Sequence, residues 1–366
     1  TDIELSDADQ TRLIEYLRGE GGATRKGRGL AEAETGVALL LDCLRLATLE
    51  APVLMVVSNL EAAGEETQRF VQALAGALRR ERMPLLLVVT YLQNGQAGLE
   101  PVSDLIAQAG EELEHRVLSP VTGDAIKDLV GAMAPLDDVV AEAIAERTGG
   151  NPLFARELVY FLSLTGELQE RGAYLTLSSR AEPGQWPGSL GETVGLRCQA
   201  ALEAMDDAAF VREVVGASAV LGQSFGYEVL AGYLERVFAD GERVERAIES
   251  LIEGNLFEEA GRLVDDDVQF VHGVLHEVCL AYVSDGSPIR ALHRSAAEEL
   301  MFRQSAGERV EPLRIARHFK AAGETETALG YFVTASKLSQ QAGNLDEAAT
   351  SLEVADSILA DLDDGL

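Results

Sequence analysis

Residues that could perform hydrolytic chemistry occur near the middle of the chain. The segment Gly222-Gln-Ser224-Phe-Gly226 has the Gly-x-Ser-x-Gly spacing of a hydrolase nucleophile elbow, and Asp266 and His272 follow it in the order of hydrolase triads. Such an elbow must join a strand to a helix, whereas the residues before Gly222 predict a helix. The sequence therefore favours a chance match over a serine hydrolase.

Two histidines have the spacing of a possible zinc site. His272 and His276 are four residues apart at the predicted start of a helix, so one helix face could present both imidazoles to a metal. Glu277 follows the pair, so the His-Glu-x-x-His order of zinc proteases is absent, and no third ligand is evident. A structural role for each histidine is the better interpretation.

A nucleotide-phosphate site would need a loop of the form Gly-x4-Gly-Lys-Ser/Thr, because backbone N–H groups must surround the phosphates. The nearest segment, Gly21-Gly-Ala-Thr-Arg-Lys26-Gly-Arg-Gly29, has glycines and cations at the wrong spacing. No buried strand precedes it. We interpret this segment as a loop.

A second requirement of nucleotide hydrolysis concerns the end of a strand. The apolar run Pro52–Ser58 ends in Ser58 and Asn59, at the position where a working nucleotide hydrolase supplies an acid for magnesium. Asn59 carries no charge and Ser58 cannot serve as a base. The sequence therefore disfavours metal-assisted hydrolysis.

The elements that would position these residues begin with an α/β pattern. Apolar runs at Pro52–Ser58 and Pro84–Thr90 predict strands that are buried on both faces, as in a parallel sheet. A helix predicted at Glu65–Arg82 lies between them and completes a βαβ unit. Gly36–Leu49 predicts a preceding helix, and Arg116–Leu118 could form a third, shorter strand.

Past Pro120 the pattern becomes helical. Seven segments predict helices: Asp124–Met133, Asp137–Arg147, Leu153–Leu164, Leu190–Leu202, Asp207–Leu221, Tyr227–Phe238 and Arg243–Glu253. Tyr174–Leu177 predicts one arm of a hairpin, and Pro183–Gly188, with the only tryptophan, predicts a linker. Helices followed by a hairpin at Leu256–Gly261 and Asp267–Val271 make a winged-helix pattern.

The last part of the chain repeats a short motif. Ala322-Gly-Glu-Thr-Glu-Thr-Ala328 is similar to Ala342-Gly-Asn-Leu-Asp-Glu-Ala348, with Gly323 and Gly343 at predicted helix junctions. The offset is shorter than the roughly 34-residue period of a tetratricopeptide repeat, so it marks successive helices. Small residues at matching positions allow stacked helical hairpins.

The composition narrows the classes of partner. The chain has 61 acidic and 30 basic residues, a net charge of −31, which repels nucleic-acid phosphates and anionic lipid. Its three cysteines, Cys43, Cys198 and Cys279, form no CxxC pair and predict reduced, buried thiols. No apolar run approaches the roughly 18 residues needed to span a bilayer. We therefore expect a cytoplasmic protein that binds neither membrane nor nucleic acid.

From about residue 30, the order of these segments resembles the STAND branch of AAA-type signal-transduction ATPases, as fused to serine/threonine kinases, adenylyl cyclases or LuxR-type regulators. Pro52–Ser58 is similar to the Walker B strand of that family. Thr148-Gly-Gly-Asn-Pro152-Leu-Phe154 resembles its Gly-x-Pro segment, and Phe270-Val-His272 its winged-helix segment. The resemblance implies that Pro152 contacts the adenine ring and that His272 contacts a nucleotide phosphate.

The sequence also departs from that family. The phosphate loop is missing, Ser58 and Asn59 replace the Walker B acids, and Leu92 stands where an arginine often follows the second strand. We therefore predict no hydrolysis and no cofactor, with ATP or ADP expected only if a phosphate loop lies upstream. Without that loop, Pro152 is a helix-start proline and His272 a packing residue.

The sequence thus predicts a mainly α fold with a partial α/β, P-loop NTPase-like domain at the start. The predicted domains are an N-terminal domain at 1–118, a helical lid at 119–182, a winged helix at 183–283 and tetratricopeptide-like helices at 284–366. We expect a non-catalytic regulatory or scaffold module that binds other proteins through its helical repeats and assembles with a kinase, cyclase or regulator domain. The alternative is the C-terminal portion of an ATP-dependent switch or transcriptional regulator whose phosphate loop lies upstream.

Overall fold

The computed structural model describes residues 29–60, 63, 65–91, 105, 113–259, 267–283, 287–308, 310–342 and 345–363. The described chain is mainly helical, as predicted. Its helices are α1 Gly29–Glu50, α2 Glu65–Arg80, α3 Gly123–Met133, α4 Asp138–Thr148, α5 Pro152–Leu164, α6 Leu190–Glu203, α7 Ala208–Leu221, α8 Tyr227–Phe238, α9 Gly241–Glu253, α10 Gly273–Leu280, α11 Ser287–Ser305, α12 Pro312–Ala322, α13 Thr325–Ala342 and α14 Leu345–Asp363.

The strands are short. They are β1 Val53–Val57, β2 Leu85–Val89, β3 Leu168–Arg171, β4 Tyr174–Leu177, β5 Ser224–Gly226, β6 Phe257–Glu259 and β7 Asp267–Phe270. The chain forms two compact units. The first contains α1, β1, α2, β2, α13 and α14, the second contains α3 to α11, and α12 belongs in part to each. Within the described ranges, none of the helices combines the length and apolar character required to cross a membrane.

In the first unit, β1 and β2 pair in parallel, from Val53 opposite Leu85 to Val57 opposite Val89. Since α2 connects them, the predicted βαβ unit is confirmed. Met55 and Leu87 of the sheet pack in one cluster with buried side chains of both α1 and α2. The two helices therefore cover the same face of the sheet.

The opposite face of this sheet is apolar and exposed. Its four side chains, with their exposed fractions, are Leu54 64%, Val56 56%, Leu86 62% and Val88 38%. The prediction that both strands are buried on both faces is therefore wrong for the described residues. An uninterrupted apolar run shows that a strand could be covered on two sides, but the number of covering layers depends on elements outside the strand.

The third strand predicted at Arg116–Leu118 is also wrong. These residues have no regular secondary structure, and Leu118 is 93% exposed. A strand requires a neighbour for its backbone hydrogen bonds. Among the residues that the structure covers, no strand pairs with this segment.

Helices α13 and α14 pack together through small side chains. Ala335 of α13 and Ala355 of α14 are both buried, and the Ser336 hydroxyl donates to the carbonyl of Ala348 at 3.0 Å. Gly323, with a φ of 84°, follows the end of α12, as expected for a helix junction. Gly343 lies outside the described residues.

The second unit contains two hydrophobic cores. We call the first the small core; it is formed by α3, α4 and α5, the antiparallel pair β3–β4, and Trp186. Trp186 is only 4% exposed, and the carbonyls of Trp186 and Pro187 accept hydrogen bonds from Arg147 of α4. The segment predicted as a linker therefore packs into the small core.

The second core, which we call the large core, is formed by α6 to α10, the sheet β5–β7 and Ala296 of α11. The sheet is antiparallel with the order β5-β7-β6. Phe225, Phe257 and Phe270 contribute one ring from each strand and meet edge to face. Leu190, at the start of α6, packs against both cores.

Candidate functional site

The segment that resembles the Gly-x-Pro motif forms the junction between α4 and α5. Gly149 and Gly150 have φ angles of 57° and 82°, which glycine adopts without a steric penalty. The side chain of Asn151 accepts from the Phe154 N–H at 3.0 Å and caps α5. Pro152 is exposed at the first position of the helix, where its missing N–H costs no hydrogen bond.

Further along α5, Glu157 forms a buried ion pair with Arg197 of α6. Their side chains are 0% and 1% exposed, and Arg197 Nη1 lies 2.6 Å from Glu157 Oε2. Arg197 Nη2 donates to the carbonyl oxygen of Asn255 at 2.6 Å, and the guanidinium lies 5.0 Å from the centre of the Tyr160 ring. Arg197 thus joins α5, α6 and the segment before β6.

His272 approaches the same carboxylate from a third direction. Its Nδ1 accepts from the N–H of Leu275 at 3.1 Å and caps α10, so the proton of a neutral imidazole must be on Nε2. Nε2 lies 3.4 Å from Glu157 Oε1, which is longer than a normal hydrogen bond. The structure therefore places His272 against α5, the helix that begins at Pro152. The α5 residue that His272 faces is Glu157.

We call Glu157, Arg197 and His272 the polar joint. Burial alone would raise the pKa of the Glu157 carboxyl, but the His272 imidazole and the Arg197 guanidinium outweigh it and lower that pKa below its ordinary value of 4.5. Glu157 is thus ionised at neutral pH. Arg156 adds another cation, with its Nε 3.4 Å from Glu157 Oε1.

Hydrogen bonding within the polar joint is incomplete. Four of its buried or neighbouring atoms have no hydrogen-bond partner among the residues that the structure describes: Arg156 Nε, Glu157 Oε1, Arg197 Nε and His272 Nε2. Buried polar atoms without partners cost free energy that hydration would recover. The joint also lies where the small core meets the large core, because α5 belongs to the first, whereas α6 and α10 belong to the second.

The other sequence-predicted sites are separate from the joint. Ser224 begins a strand that follows α7, so its segment joins a helix to a strand, which is the reverse of a nucleophile elbow. His276 Nε2 lies 2.9 Å from the carbonyl oxygen of Ala219, away from the partners of His272. Within the described ranges, no group of three potential ligands could hold a metal ion. Asp266 lies outside those ranges.

At the end of β1, the contacts are made by backbone groups of Val57 and Asn59 and by backbone and side-chain atoms of Thr90. The N–H of Asn59 donates to Thr90 Oγ1 at 3.2 Å, and the N–H of Thr90 donates to the carbonyl of Val57 at 2.9 Å. Ser58 and Asn59 are both exposed. The glycine-rich segment that precedes α1, and Leu92, lie outside the described residues.

The comparison with known proteins leaves the family open. No protein-family model matches the chain, and a search of curated proteins finds no match. Membership of the STAND branch therefore stays a proposal that rests on the quoted motifs.

Glu157 and Arg197 are functional-site residues that the sequence patterns did not predict. A signal for each was present, because both are charged residues inside apolar helical patterns: Glu157 has Phe154 and Phe161 at the spacing of one helix face, and Arg197 follows Val194. Charged residues are almost never fully buried unless they are paired. Two opposite charges on predicted buried faces thus indicate an ion pair, although not which helices meet.

Proposed function

We propose that this chain is a non-catalytic regulatory module of a STAND-type cytoplasmic signalling protein, which acts through protein–protein contacts. The polar joint is its conformational switch, since it holds the small core and the large core in one arrangement. The observation that carries this proposal is the buried, incompletely satisfied Glu157–Arg197 pair between two separate apolar cores.

The energetics of buried charge support a switch. Replacing a buried ion pair with well-packed apolar residues is often neutral or stabilising, so such a pair is weak as a source of stability. Separation of the cores would hydrate Glu157, Arg197 and His272 and would recover the free energy lost by their unpartnered atoms. The state in which the two cores pack together and the state in which they separate are therefore closer in free energy than they would be if the interface between the cores were apolar.

The proposal also assigns a fold to each part of the chain. The parallel βαβ unit supports a P-loop NTPase-like first domain, and the sheet β5–β7 beside α8 and α9 supports a winged helix. The successive helices α12 to α14 support a tetratricopeptide-like array that binds partner proteins, including an attached kinase, cyclase or regulator domain. The net charge of −31 makes DNA an unsuitable ligand for the winged helix.

The only tryptophan of the chain provides the test, because Trp186 is buried in the small core and reports on that core alone. We expect its fluorescence transition in urea to coincide with loss of the large core in the wild type. In Glu157→Gln the tryptophan transition should come first, because the small core is no longer held. The helical circular dichroism that remains after the small core has unfolded would be lost at higher urea.

A matched control is Lys127→Ala, which removes an exposed ion pair with Glu142 from the same small core and should leave the transitions together. If Glu157→Gln instead shifted both transitions equally, the joint would be part of one cooperative unit, and the switch proposal would be wrong.

The second candidate is an ATP-dependent switch whose phosphate loop lies in a further upstream segment. The exposed apolar face of β1 and β2 favours it, because parallel sheets are normally covered on both faces, the described residues cover only one, and a larger nucleotide-binding domain would supply a second layer. Pro152 and His272 would then contact the nucleotide. Calorimetry with ATP and ADP, together with phosphate release, tests this: micromolar binding with turnover would contradict the non-catalytic proposal.

A further inference from the structure

Two of the three cysteines meet inside the large core. Cys198 of α6 and Cys279 of α10 are 81 residues apart in the sequence, yet their Sγ atoms are 3.8 Å apart. Both side chains are completely buried. Cys43 is in the other unit and is partly exposed.

We propose that Cys198 and Cys279 form a redox-modification site, at which a hydroperoxide such as hydrogen peroxide converts the two thiols into a reversible disulfide. The sulfur atoms must approach from 3.8 Å to about 2.05 Å. A side-chain rotation or a shift of either helix has to supply that approach, and because both thiols are completely buried, the peroxide reaches them only when α6 and α10 separate locally. Since the two sulfur atoms are already in contact, no other protein group has to move out of the way.

The surroundings of the pair assign a role to each thiol. Hydrogen bonding with Cys279 lowers the pKa of Cys198 against the opposing effect of burial, and Tyr282 and the charge of Arg197 act in the same direction. The same hydrogen bond and burial raise the pKa of Cys279. The proposal therefore assigns the first attack to Cys198, the thiol that loses its proton more readily, and the second step to Cys279.

The reaction balances with peroxide as the only co-reactant. The Cys198 thiolate attacks one peroxide oxygen, the O–O bond breaks, and hydroxide leaves, which gives a sulfenic acid at Cys198. The Cys279 sulfur then attacks the Cys198 sulfur, the S–O bond breaks, and water leaves. Overall, two thiols lose two protons and two electrons, and one hydrogen peroxide is reduced to two waters.

The position of the pair links it to the polar joint. Cys198 directly follows Arg197 on α6, and Cys279 is on α10, which His272 caps. A disulfide would fix these two helices to each other and would hold Arg197 and His272 in the orientation that faces Glu157. This consequence rests on the proposed switch, whereas the crosslink itself rests only on the geometry of the thiols.

The test treats the folded wild-type chain with hydrogen peroxide, then denatures it, alkylates free thiols and maps them by mass spectrometry. We expect a linked Cys198–Cys279 peptide pair that has lost two hydrogens and returns to two free thiols with dithiothreitol. Oxidation of Cys43 would show that the oxidant reacted with the protein. Full alkylation of Cys198 and Cys279 while Cys43 is oxidised would overturn the proposal.

Two variants sharpen the result. In Cys279→Ser, the sulfenic acid at Cys198 should persist and be trapped by dimedone, whereas in Cys198→Ser neither sulfenic acid nor disulfide should form at Cys279. Dimedone labelling at Cys279 in Cys198→Ser would contradict the assigned roles. Hydrogen exchange of the oxidised chain should be slower in α6 and α10; unchanged exchange would contradict the link to the polar joint and leave the crosslink standing.

Discussion

The polar joint and the β1–β2 sheet place charged and apolar side chains in opposite environments. In the joint, Glu157 and Arg197 are removed from water almost completely. In the sheet, Leu54 and Leu86 are each more than half exposed. Burial of apolar surface contributes roughly 25 cal/mol per Å², whereas burial of an ion costs several kcal/mol before pairing.

The two regions therefore contain different kinds of unfavourable groups. The second unit buries two apolar cores and carries the charged Glu157–Arg197 pair inside, at the boundary between them. The described part of the first unit leaves its unfavourable groups outside, on a sheet face that another layer would cover. A conformational switch suits the former, and a docking or assembly function suits the latter.

The largest expected effect comes from removing one member of the buried ion pair. Arg197→Met leaves the Glu157 carboxylate buried without its main partner, and we expect a loss of about 3–5 kcal/mol in the free energy of unfolding. Urea denaturation measures it. Lys127→Ala removes an exposed pair on the same unit and should change the midpoint far less. Equal losses in the two variants would show that the joint is not energetically special.

The next largest effect is the difference in stability loss between substitutions on the two faces of the β1–β2 sheet. Leu74→Ala, which removes a buried α2 side chain packed against one face, should cost about 2–5 kcal/mol. Leu86→Ala on the opposite face should change stability by less than about 0.5 kcal/mol. Urea denaturation followed by circular dichroism gives both values. A large loss from Leu86→Ala would mean that another layer covers this face.

The junction before α5 gives a smaller effect. A Cβ added at Gly150 would clash with the Val121 carbonyl oxygen, in addition to the penalty of a φ of 82°. At Gly172, with a φ of 68°, an added Cβ meets open space. Gly172→Ala should therefore cost only the backbone penalty of about 1–2 kcal/mol, and Gly150→Ala more. Thermal melts that rank them in the reverse order would contradict the tight junction.

The smallest effect is the pH dependence of the joint. Because the pKa of Glu157 is lowered in the folded state, the ionised carboxylate contributes stability that is fully present above its ordinary pKa of 4.5 and is lost as pH falls through the folded-state pKa. Arg156, Arg197 and His272 all face this carboxylate. The stability gap between wild type and Glu157→Gln should narrow below pH 4.5. A gap that is independent of pH would contradict ionisation of Glu157.

Local patterns were enough to predict most elements. Tyr227–Phe238 matches its predicted bounds, and Leu190–Glu203 extends one residue beyond its predicted end, because periodicity and capping residues act over a few neighbours. Trp186 was harder to place, because Pro and Gly beside it favour a turn and do not show what the indole packs against.

The polar joint could not be predicted from such patterns. Glu157 and Arg197 are 40 residues apart, and their pairing depends on how α5 and α6 pack. For His272, the sequence indicated a position directly after a predicted strand, at the start of a helix. It did not indicate which carboxylate the histidine faces. The exposed sheet face was missed because an apolar run carries no information about the layers around it.

Native-state hydrogen exchange of wild type and Glu157→Gln tests the central claim most directly, because it reads the two cores separately in the folded chain. The polar joint predicts faster exchange of the amides of α5 and α6 in the variant. The Phe225–Phe257–Phe270 sheet of the large core should keep its wild-type protection. A uniform loss of protection throughout the second unit, or no change in α5 and α6, would contradict a switch between the two cores.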